Sequence, residues 1–289
     1  MGKFQYGGQA VIEGVMMRGP EAMAIAVRTK DEEIVVEKRK WLAWSKRHKL
    51  LGLPLVRGVV ALVESLVIGM SALNFSANLF AEGEGEELSF KELALTILIA
   101  LGLTFLVFVA FPAFVATKLK GAIASTVLLN IAEGLLKMGL FVSYIVLISR
   151  MEDIRRVFEY HGAEHKTIYA QEAGLPLTVE NIRKFSTLHP RCGTSFLLLV
   201  FFVSIFIFSF FGRPPFWQRV GIHLAILPLV AGISYELIKL AGRPRGGLGQ
   251  RIVRFITAPG MWLQRLTTRE PSDEQILVAV EALRGVLEE

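Results

Sequence analysis

The chain has a single cysteine, Cys192, among its 289 residues. One thiol excludes an intrachain disulfide and is typical of a protein exposed to a reducing compartment. The first residues, MGKFQYGGQAV, lack the apolar core of a secretory signal peptide, so we expect no cleaved leader. Tyr6 also breaks the pattern required for N-myristoylation. These absences predict a cytoplasm-exposed chain that folds without disulfides.

Charged residues are missing from two long stretches of the sequence. Residues 93–117 run for 25 positions without a charge, and residues 192–212 run for 21. A bilayer core of about 30 Å needs roughly 20 apolar residues in a helix, so both stretches are long enough to cross it. The sequence therefore predicts an integral membrane protein.

Two further apolar segments, residues 122–149 and 220–241, carry isolated charges. Glu133 and Lys137 are four residues apart in the order that favours pairing on one helix face, so we expect a buried ion pair. Lys239 lies close to the end of its helix, from which its long side chain can reach the membrane interface. Together with the two uncharged stretches, these segments predict four crossings.

The N-terminal region, residues 1–52, reads as cytoplasmic. Its segments AMAIAVRT and EIVVEKRKW alternate apolar and polar residues around the charged turn KDEE, which is typical of a β-hairpin. Residues 53–80 have a helical pattern that contains Arg57 and Glu64, so we predict an interfacial or re-entrant helix. A spanning helix, which would give five crossings, remains the alternative.

The distribution of basic residues sets the predicted topology. With four crossings, residues 1–92, 150–194 and 242–289 share one side and hold 12, 7 and 7 basic residues. By the positive-inside rule that side is cytoplasmic. The predicted fold is an α-helical integral membrane protein of about four transmembrane helices in residues 93–241. It adds a small N-terminal β-hairpin region, a cytoplasmic loop domain at residues 150–194 and cytoplasmic amphipathic C-terminal helices at residues 242–289.

The segment HGAEHKTIYAQEAG fits the H-x-x-E-H pattern of inverted zinc hydrolases. His161 and His165 fall one helical turn apart, where two imidazoles can chelate one ion. Glu164 is the candidate general base for a metal-bound water. Glu172 shares the face but lies roughly 10 Å further along the axis, so we expect it to contact the ligands or the substrate.

A second segment, TLHPRCGTSF, adds His189 and Cys192 in the same predicted loop. With His161 and His165 they complete a tetrahedral set of four ligands, which is typical of structural zinc sites. A catalytic site needs an open position and hence three protein ligands. Inverted zinc hydrolases, which the H-x-x-E-H pattern resembles, take a distant downstream glutamate as the third ligand. Glu236 is that candidate, unless it pairs with Lys239.

The N-terminal segment GGQAVIEGVMMRGP lacks the ending of a phosphate-binding loop. One interpretation places Glu13 and Arg18 at the metal site across the cytoplasmic surface. The other is a tight loop in which the glycines adopt positive φ angles. The sequence leaves both interpretations open.

Four segments together identify a family resemblance: GGQAVIEGVMMRGP, HGAEHKTIYAQEAG, TLHPRCGTSF and ISYELIKLAGR. They resemble the YqhQ-like family of bacterial membrane proteins over nearly the whole chain. Members of that family are described as predicted metal-dependent enzymes. The resemblance therefore implies a multi-pass protein of the bacterial cytoplasmic membrane with a metal-dependent activity.

Two functions of different classes follow. The first is a zinc hydrolase, or one using another divalent transition metal, at the cytoplasmic membrane surface. The second is a non-catalytic protein whose closed metal site supports partner binding, as in a membrane-protein biogenesis, translocon-associated or quality-control factor. We expect membrane lipids as partners, with a membrane protein or the translocation machinery as a further candidate. The net charge of +6 is not accompanied by a nucleic-acid-binding motif, so nucleic acid is not expected.

Overall fold

A computed structural model describes residues 6–81, 90–241 and 248–287. The chain divides into two compact units, each made of non-consecutive segments. The first, called the sheet unit, comprises Met1–Gly85, Ile148–Pro190 and Met261–Glu289. The second, called the helical unit, comprises Glu86–Leu147 and Arg191–Gly260. This division by contacts differs from the four consecutive regions that the sequence predicts.

The strands are β1 (Gly7–Val11), β2 (Gly14–Arg18), β3 (Ala22–Arg28) and β4 (Ile34–Lys40). The first helical elements along the chain are α1 (Trp44–Arg47), a 3₁₀ turn (Lys49–Gly52) and α2 (Val56–Ala81). The next are α3 (Phe90–Phe105), a π-helical segment (Leu106–Ala110), α4 (Phe111–Leu119) and α5 (Thr126–Ile148). The remainder are α6 (Glu152–Glu172), α7 (Val179–Arg183), α8 (Gly193–Phe208), α9 (Phe216–Ala241), α10 (Leu248–Thr267) and α11 (Asp273–Leu287).

The four strands form one antiparallel sheet in the order β1-β2-β3-β4. The predicted hairpin is confirmed as β3 and β4, which pair from Ala22↔Lys40 to Arg28↔Ile34. The interpretation of the preceding glycine-containing segment as a loop is wrong, because it forms β1 and β2. Val15 and Met17 of β2 are completely buried. Tertiary burial on both sides of the sheet therefore makes strands of a segment that lacks clear alternation.

Both faces of the sheet are covered. One face packs against α6 and α11, where Ile276, Ala279 and Leu283 are fully buried. The other packs against α2 through Ile68 and Ala72. The C-terminal helix, expected as a separate amphipathic element, thus belongs to the core of the sheet unit.

Helix α11 begins with a reciprocal capping arrangement between Ser272 and Gln275. The Ser272 N–H donates to Gln275 Oε1 at 2.9 Å, and the Gln275 N–H donates to Ser272 Oγ at 3.3 Å. This reciprocal pair satisfies two amides of the first turn. The start of α11 is therefore encoded locally, although its packing is not.

Four helical stretches are long and apolar enough to cross a membrane: Val56–Phe80, Leu95–Leu119, Thr126–Ile148 and Phe216–Leu240. Three of these stretches coincide with predicted crossings, and the fourth, Val56–Phe80, is the segment predicted as interfacial or re-entrant. The uncharged stretch 192–212 forms α8, whose 16 residues extend about 24 Å, less than the roughly 30 Å of a bilayer core. The apolar helices indicate a membrane protein.

Candidate metal centre

Helix α6 of the sheet unit carries the H-x-x-E-H segment. Glu152 and Asp153 in its first turn suit the positive end of the helix dipole. Gly174, at φ +69°, follows its last turn in the left-handed conformation that often terminates helices. The middle of this polar helix is buried nonetheless, which is unusual for charged and imidazole side chains and points to a site.

Three histidines of the sheet unit lie together. The ring centroids of His161 and His165 are 4.4 Å apart, and those of His165 and His189 are 5.4 Å apart. His165 and His189 are both buried. Candidate ligand nitrogens of His161 and His165 lie within 4.8 Å of each other. Two zinc–nitrogen bonds of about 2 Å each require at most about 4 Å, so a small side-chain adjustment would let one ion bind both rings.

Hydrogen bonds fix the tautomers of His161 and His165. His161 Nδ1 lies 2.8 Å from the carbonyl oxygen of Thr267, and His165 Nδ1 contacts the carbonyl oxygen of Thr187. A carbonyl only accepts hydrogen bonds, so each ring donates from Nδ1 and its neutral form carries the lone pair on Nε2. Metal-ligating histidines are oriented by this kind of bond. The two side chains are therefore prepared to act as Nε2 ligands.

Carboxylates accompany the imidazoles. Glu164 is buried, and its Oε2 lies 3.5 Å from His165 Nε2. Glu172 Oε2 lies 4.0 Å from His189 Nε2. A carboxylate and an imidazole lone pair repel each other unless a proton or a metal cation lies between them. The donor set of imidazole and carboxylate groups thus fits a divalent transition metal.

His189 is positioned by residues that the sequence did not single out. The Gln264 side chain accepts from the His189 N–H at 2.7 Å and donates to the His189 carbonyl at 2.8 Å. The Tyr169 hydroxyl donates to the Leu188 carbonyl at 3.0 Å, and its ring centroid lies 4.6 Å from that of His189. Gln264 is 75 residues away in the chain, so no local pattern could have identified it.

The backbone of β1 passes close to Glu164. A Cβ atom on Gly8 would lie 3.1 Å from Glu164 Cγ and 2.3 Å from the Met16 carbonyl oxygen. The neighbouring Gly7 has open space at the same position. Gly8 therefore serves close approach rather than a positive φ angle, since the only glycine with positive φ among the described residues is Gly174.

Glu13 and Arg18 occupy different places. Glu13 has a φ of 49° and forms a bidentate ion pair with Arg156, while the Tyr160 hydroxyl donates to it at 3.3 Å. Burial and the negative charge of Glu13 raise the pKa of Tyr160. Glu13 thus contacts α6 beside His161. Arg18 pairs instead with Glu64 of α2 at 2.8 Å.

Cys192 and Glu236 belong to the helical unit. Cys192 is buried, directly precedes α8 and contacts Thr194 Oγ1 through its sulfur at 3.3 Å. Glu236 lies near the end of α9. Their roles as metal ligands stay predictions from the sequence spacing.

A separate polar cluster lies inside the helical unit. The predicted pair is confirmed, with Lys137 Nζ 2.9 Å from Glu133 Oε1. Arg219 Nη2 also contacts Glu133 Oε2 at 2.5 Å, and His223 Nε2 lies 2.6 Å from Glu133 Oε1. Asn130 joins through the Arg219 guanidinium. The sequence missed Arg219, which lies 86 residues from Glu133 and outside the run that marked the pair.

These observations define a membrane-type helical protein with a histidine and carboxylate cluster in a sheet-containing unit. Residues 53–289 match the family described as "Protein of unknown function (DUF1385)". The chain is 37% identical over 295 residues to the "Uncharacterized protein YqhQ" of Bacillus subtilis (strain 168), covering 98% of this chain and 92% of that protein. No solved structure matches. The chain belongs to the DUF1385 family, and the resemblance to YqhQ-like proteins is confirmed.

Proposed function

We propose that this protein is a membrane-bound, metal-dependent hydrolase whose site lies on α6. The observation that carries the proposal is the pair of Nδ1 hydrogen bonds of His161 and His165, which leave the ligating lone pair on Nε2. Burying imidazoles and a carboxylate together costs free energy unless an opposite charge compensates the carboxylate. A bound cation supplies that charge. Zinc suits these donors best.

The third ligand comes from His189, Cys192 or Glu236. His189 is supported by its position beside His165. Cys192 follows His189 by three residues, a span of at most about 10 Å of chain. Nitrogen and sulfur donors are both preferred by zinc. His189 is therefore our first choice for an open three-ligand site.

Glu164 is the proposed general base. When bound, the ion would supply Lewis-acid polarisation of a scissile carbonyl or phosphoryl group and lower the pKa of water. Glu164 would accept the proton of the attacking water. Its burial keeps the carboxylate close to His165 and away from bulk solvent. Glu172, near His189, would contact ligands or substrate.

We place the protein in the bacterial cytoplasmic membrane as a multi-pass protein with both termini cytoplasmic. The support is the concentration of Lys and Arg in residues 1–92, 150–194 and 242–289. The sheet unit would then face the cytoplasm at the membrane surface. A membrane-associated substrate, either lipid-linked or a protein segment, fits that location.

The proposal is tested by metal content and by hydrolysis. Purified wild type is compared with His165→Ala, Glu164→Gln and the matched control His48→Ala, whose ring is exposed. We expect about one zinc per chain in wild type, His48→Ala and Glu164→Gln, and loss of zinc in His165→Ala. Products are then sought by mass spectrometry after incubation with bacterial membrane extract in H₂¹⁸O. Label incorporated by wild type and not by Glu164→Gln supports hydrolysis.

The alternative is a closed structural site in a partner-binding protein, such as a biogenesis, translocon-associated or quality-control factor. The three clustered imidazoles favour it, because Cys192 would complete four ligands. Zinc lost from Cys192→Ser, with no ¹⁸O products from wild type, would support this alternative. No metal in freshly purified wild type would contradict both proposals.

A further inference from the structure

Helix α2 of the sheet unit has one face on the sheet and one face uncovered. Its buried face meets β-strand residues through Ile68 and Ala72, with Phe75 and Leu79 packed beside them. The opposite face exposes a stripe of large apolar side chains, each between 38% and 60% exposed: Val63, Leu66, Val67, Met70 and Leu73. These five residues are called the α2 stripe.

Charged groups of the sheet and of its β3–β4 turn lie beside α2 along most of its length. Arg18 pairs with Glu64, and Arg39 Nη1 donates to Ser71 Oγ at 2.7 Å. Lys30 Nζ lies 5.3 Å from the ring centroid of Phe80. Glu64 and Phe80 are 16 residues apart, which is about 24 Å along the helix axis.

This packing is incompatible with a crossing orientation of α2. A helix perpendicular to the membrane would carry those 24 Å of charged sheet contacts through a hydrocarbon core of about 30 Å. It would also bring β4, an edge strand with exposed Lys38 and Lys40, to membrane depth. Open sheet edges do not occur in contact with lipid tails, because their backbone groups would lose hydrogen bonds.

The α2 stripe also differs from a water-exposed helix face. Between Gly58 and Phe80 the sequence has one charged residue, Glu64, and its side chain is buried. A surface helix normally places charges opposite its buried face. The stripe is therefore built for an apolar environment on the side away from the sheet.

Basic residues precede the stripe. Lys46, Arg47 and Lys49 are exposed just before α2, next to the exposed Leu50 and Leu53. Clustered basic residues beside exposed leucines are typical of segments that bind anionic headgroups while apolar side chains enter the interface.

We propose that α2 lies in the plane of the membrane and docks the sheet unit onto an anionic phospholipid surface through the α2 stripe. Length and apolarity alone would allow α2 to cross, whereas its contacts with the sheet require it to lie flat. The proposal does not depend on a metal site. It gives this unit a lipid-binding face on the side of the sheet opposite α6.

Orientation is tested with two epitope tags on the full chain, one at the N-terminus and one inserted after residue 83. Antibody access is compared in closed right-side-out vesicles and in vesicles opened with detergent. We expect both tags on the same side of the membrane. Tags on opposite sides would show that α2 crosses and would overturn the proposal.

Contact with lipid is tested by placing the photo-crosslinker p-benzoylphenylalanine at Leu66 and, as the control, at Glu32, which is exposed in the β3–β4 turn. In native membranes we expect a phospholipid adduct at position 66 and none at position 32. An adduct with a polypeptide would mean that a protein covers the stripe. No adduct would mean that it faces water. Either of these two results would overturn the proposal.

The basic segment is tested separately in reconstituted membranes. The adduct at position 66 is compared in phosphatidylglycerol and in phosphatidylcholine bilayers, with and without Lys46→Glu and Arg47→Glu. We expect these charge reversals to reduce the adduct in phosphatidylglycerol only. An equal effect in both lipids would contradict recognition of anionic headgroups.

Discussion

The side-chain amide of Gln264 makes hydrogen bonds to both backbone groups of His189, accepting from its N–H at 2.7 Å and donating to its carbonyl at 2.8 Å. Gln264 is completely buried, and His189 is the histidine that extends the α6 pair into a cluster of three. The C-terminal part of the chain therefore positions the candidate metal centre.

Replacing Gln264 by Ala should lower both stability and metal retention. It leaves two buried backbone groups of His189 without partners, at a cost of about 1–3 kcal/mol for such groups. Gln218→Ala removes an exposed amide and is the matched control. Thermal unfolding and zinc content measure the effect. Equal zinc content and melting temperature in the two variants would contradict the positioning role of Gln264.

Gly8→Ala should disturb the site, whereas Gly7→Ala should not. The added methyl group on Gly8 meets the Met16 carbonyl at 2.3 Å and Glu164 Cγ at 3.1 Å, and the one on Gly7 meets nothing within 4 Å. Overpacking of this kind costs about 1–3 kcal/mol. Melting temperature and zinc content of the two variants provide the comparison, and a Gly8→Ala protein as stable as Gly7→Ala would disprove the close approach.

Gly134 of the helical unit should tolerate an added methyl group as poorly as Gly8 does. A Cβ atom there would lie 2.1 Å from Ile205 Cγ1, while Gly139 on the same helix has open space. We expect Gly134→Ala to lower the melting temperature in detergent, with a free-energy loss of about 1–3 kcal/mol, and Gly139→Ala to leave it unchanged. Similar melting curves for both variants would show that α5 and α8 do not pack as described.

Glu133→Gln should be among the most destabilising changes in the helical unit. It removes the carboxylate that neutralises Arg219, which is 1% exposed, and breaking a buried ion pair costs about 3–5 kcal/mol. Glu180→Gln, in an exposed pair with Lys184, should cost less than about 1 kcal/mol. Thermal melting in detergent tests this difference, and a small effect of Glu133→Gln would mean that Arg219 reaches water.

Tyr160 should make the protein sensitive to alkaline pH. Its folded pKa is raised by burial and by the charge of Glu13, so the folded state keeps a proton that the unfolded state releases near pH 10. The contribution to stability is present below that pH and is lost as the pH rises towards the folded pKa, by up to about 1.4 kcal/mol per pH unit. Tyr160→Phe should show a shallower loss of stability above pH 10. The same loss of stability with pH in wild type and in Tyr160→Phe would contradict the raised pKa of Tyr160.

Elements with a local code were predictable. The four-residue spacing of His161 and His165 predicts that they share a helix, and both lie on α6. The β3–β4 hairpin follows from alternation around a charged turn. The Glu133–Lys137 pair follows from four-residue spacing. In each case the contacting residues are close in the sequence, so their spacing alone indicates that they come together.

Contacts between distant segments were not predictable. Glu13 pairs with Arg156 across 143 residues, and Gln264 reaches His189 across 75. Strands β1 and β2 lack an alternating apolar and polar pattern because helices cover both faces of the sheet. Side chains on either face therefore meet a packed surface rather than water. Periodicity marks a boundary between core and solvent, and it fades where no such boundary exists.

The sequence by itself determined that the chain is a membrane-type helical protein, since bilayer thickness alone requires long uncharged runs. It also determined that His161, Glu164 and His165 share one helix, because their spacing matches the helical turn. Only the tertiary structure decided that Gln264 holds His189, that Gly8 borders Glu164 and that α2 packs along a charged sheet. The physical reason is that these relationships depend on which surfaces bury one another, and burial joins segments that no local spacing connects.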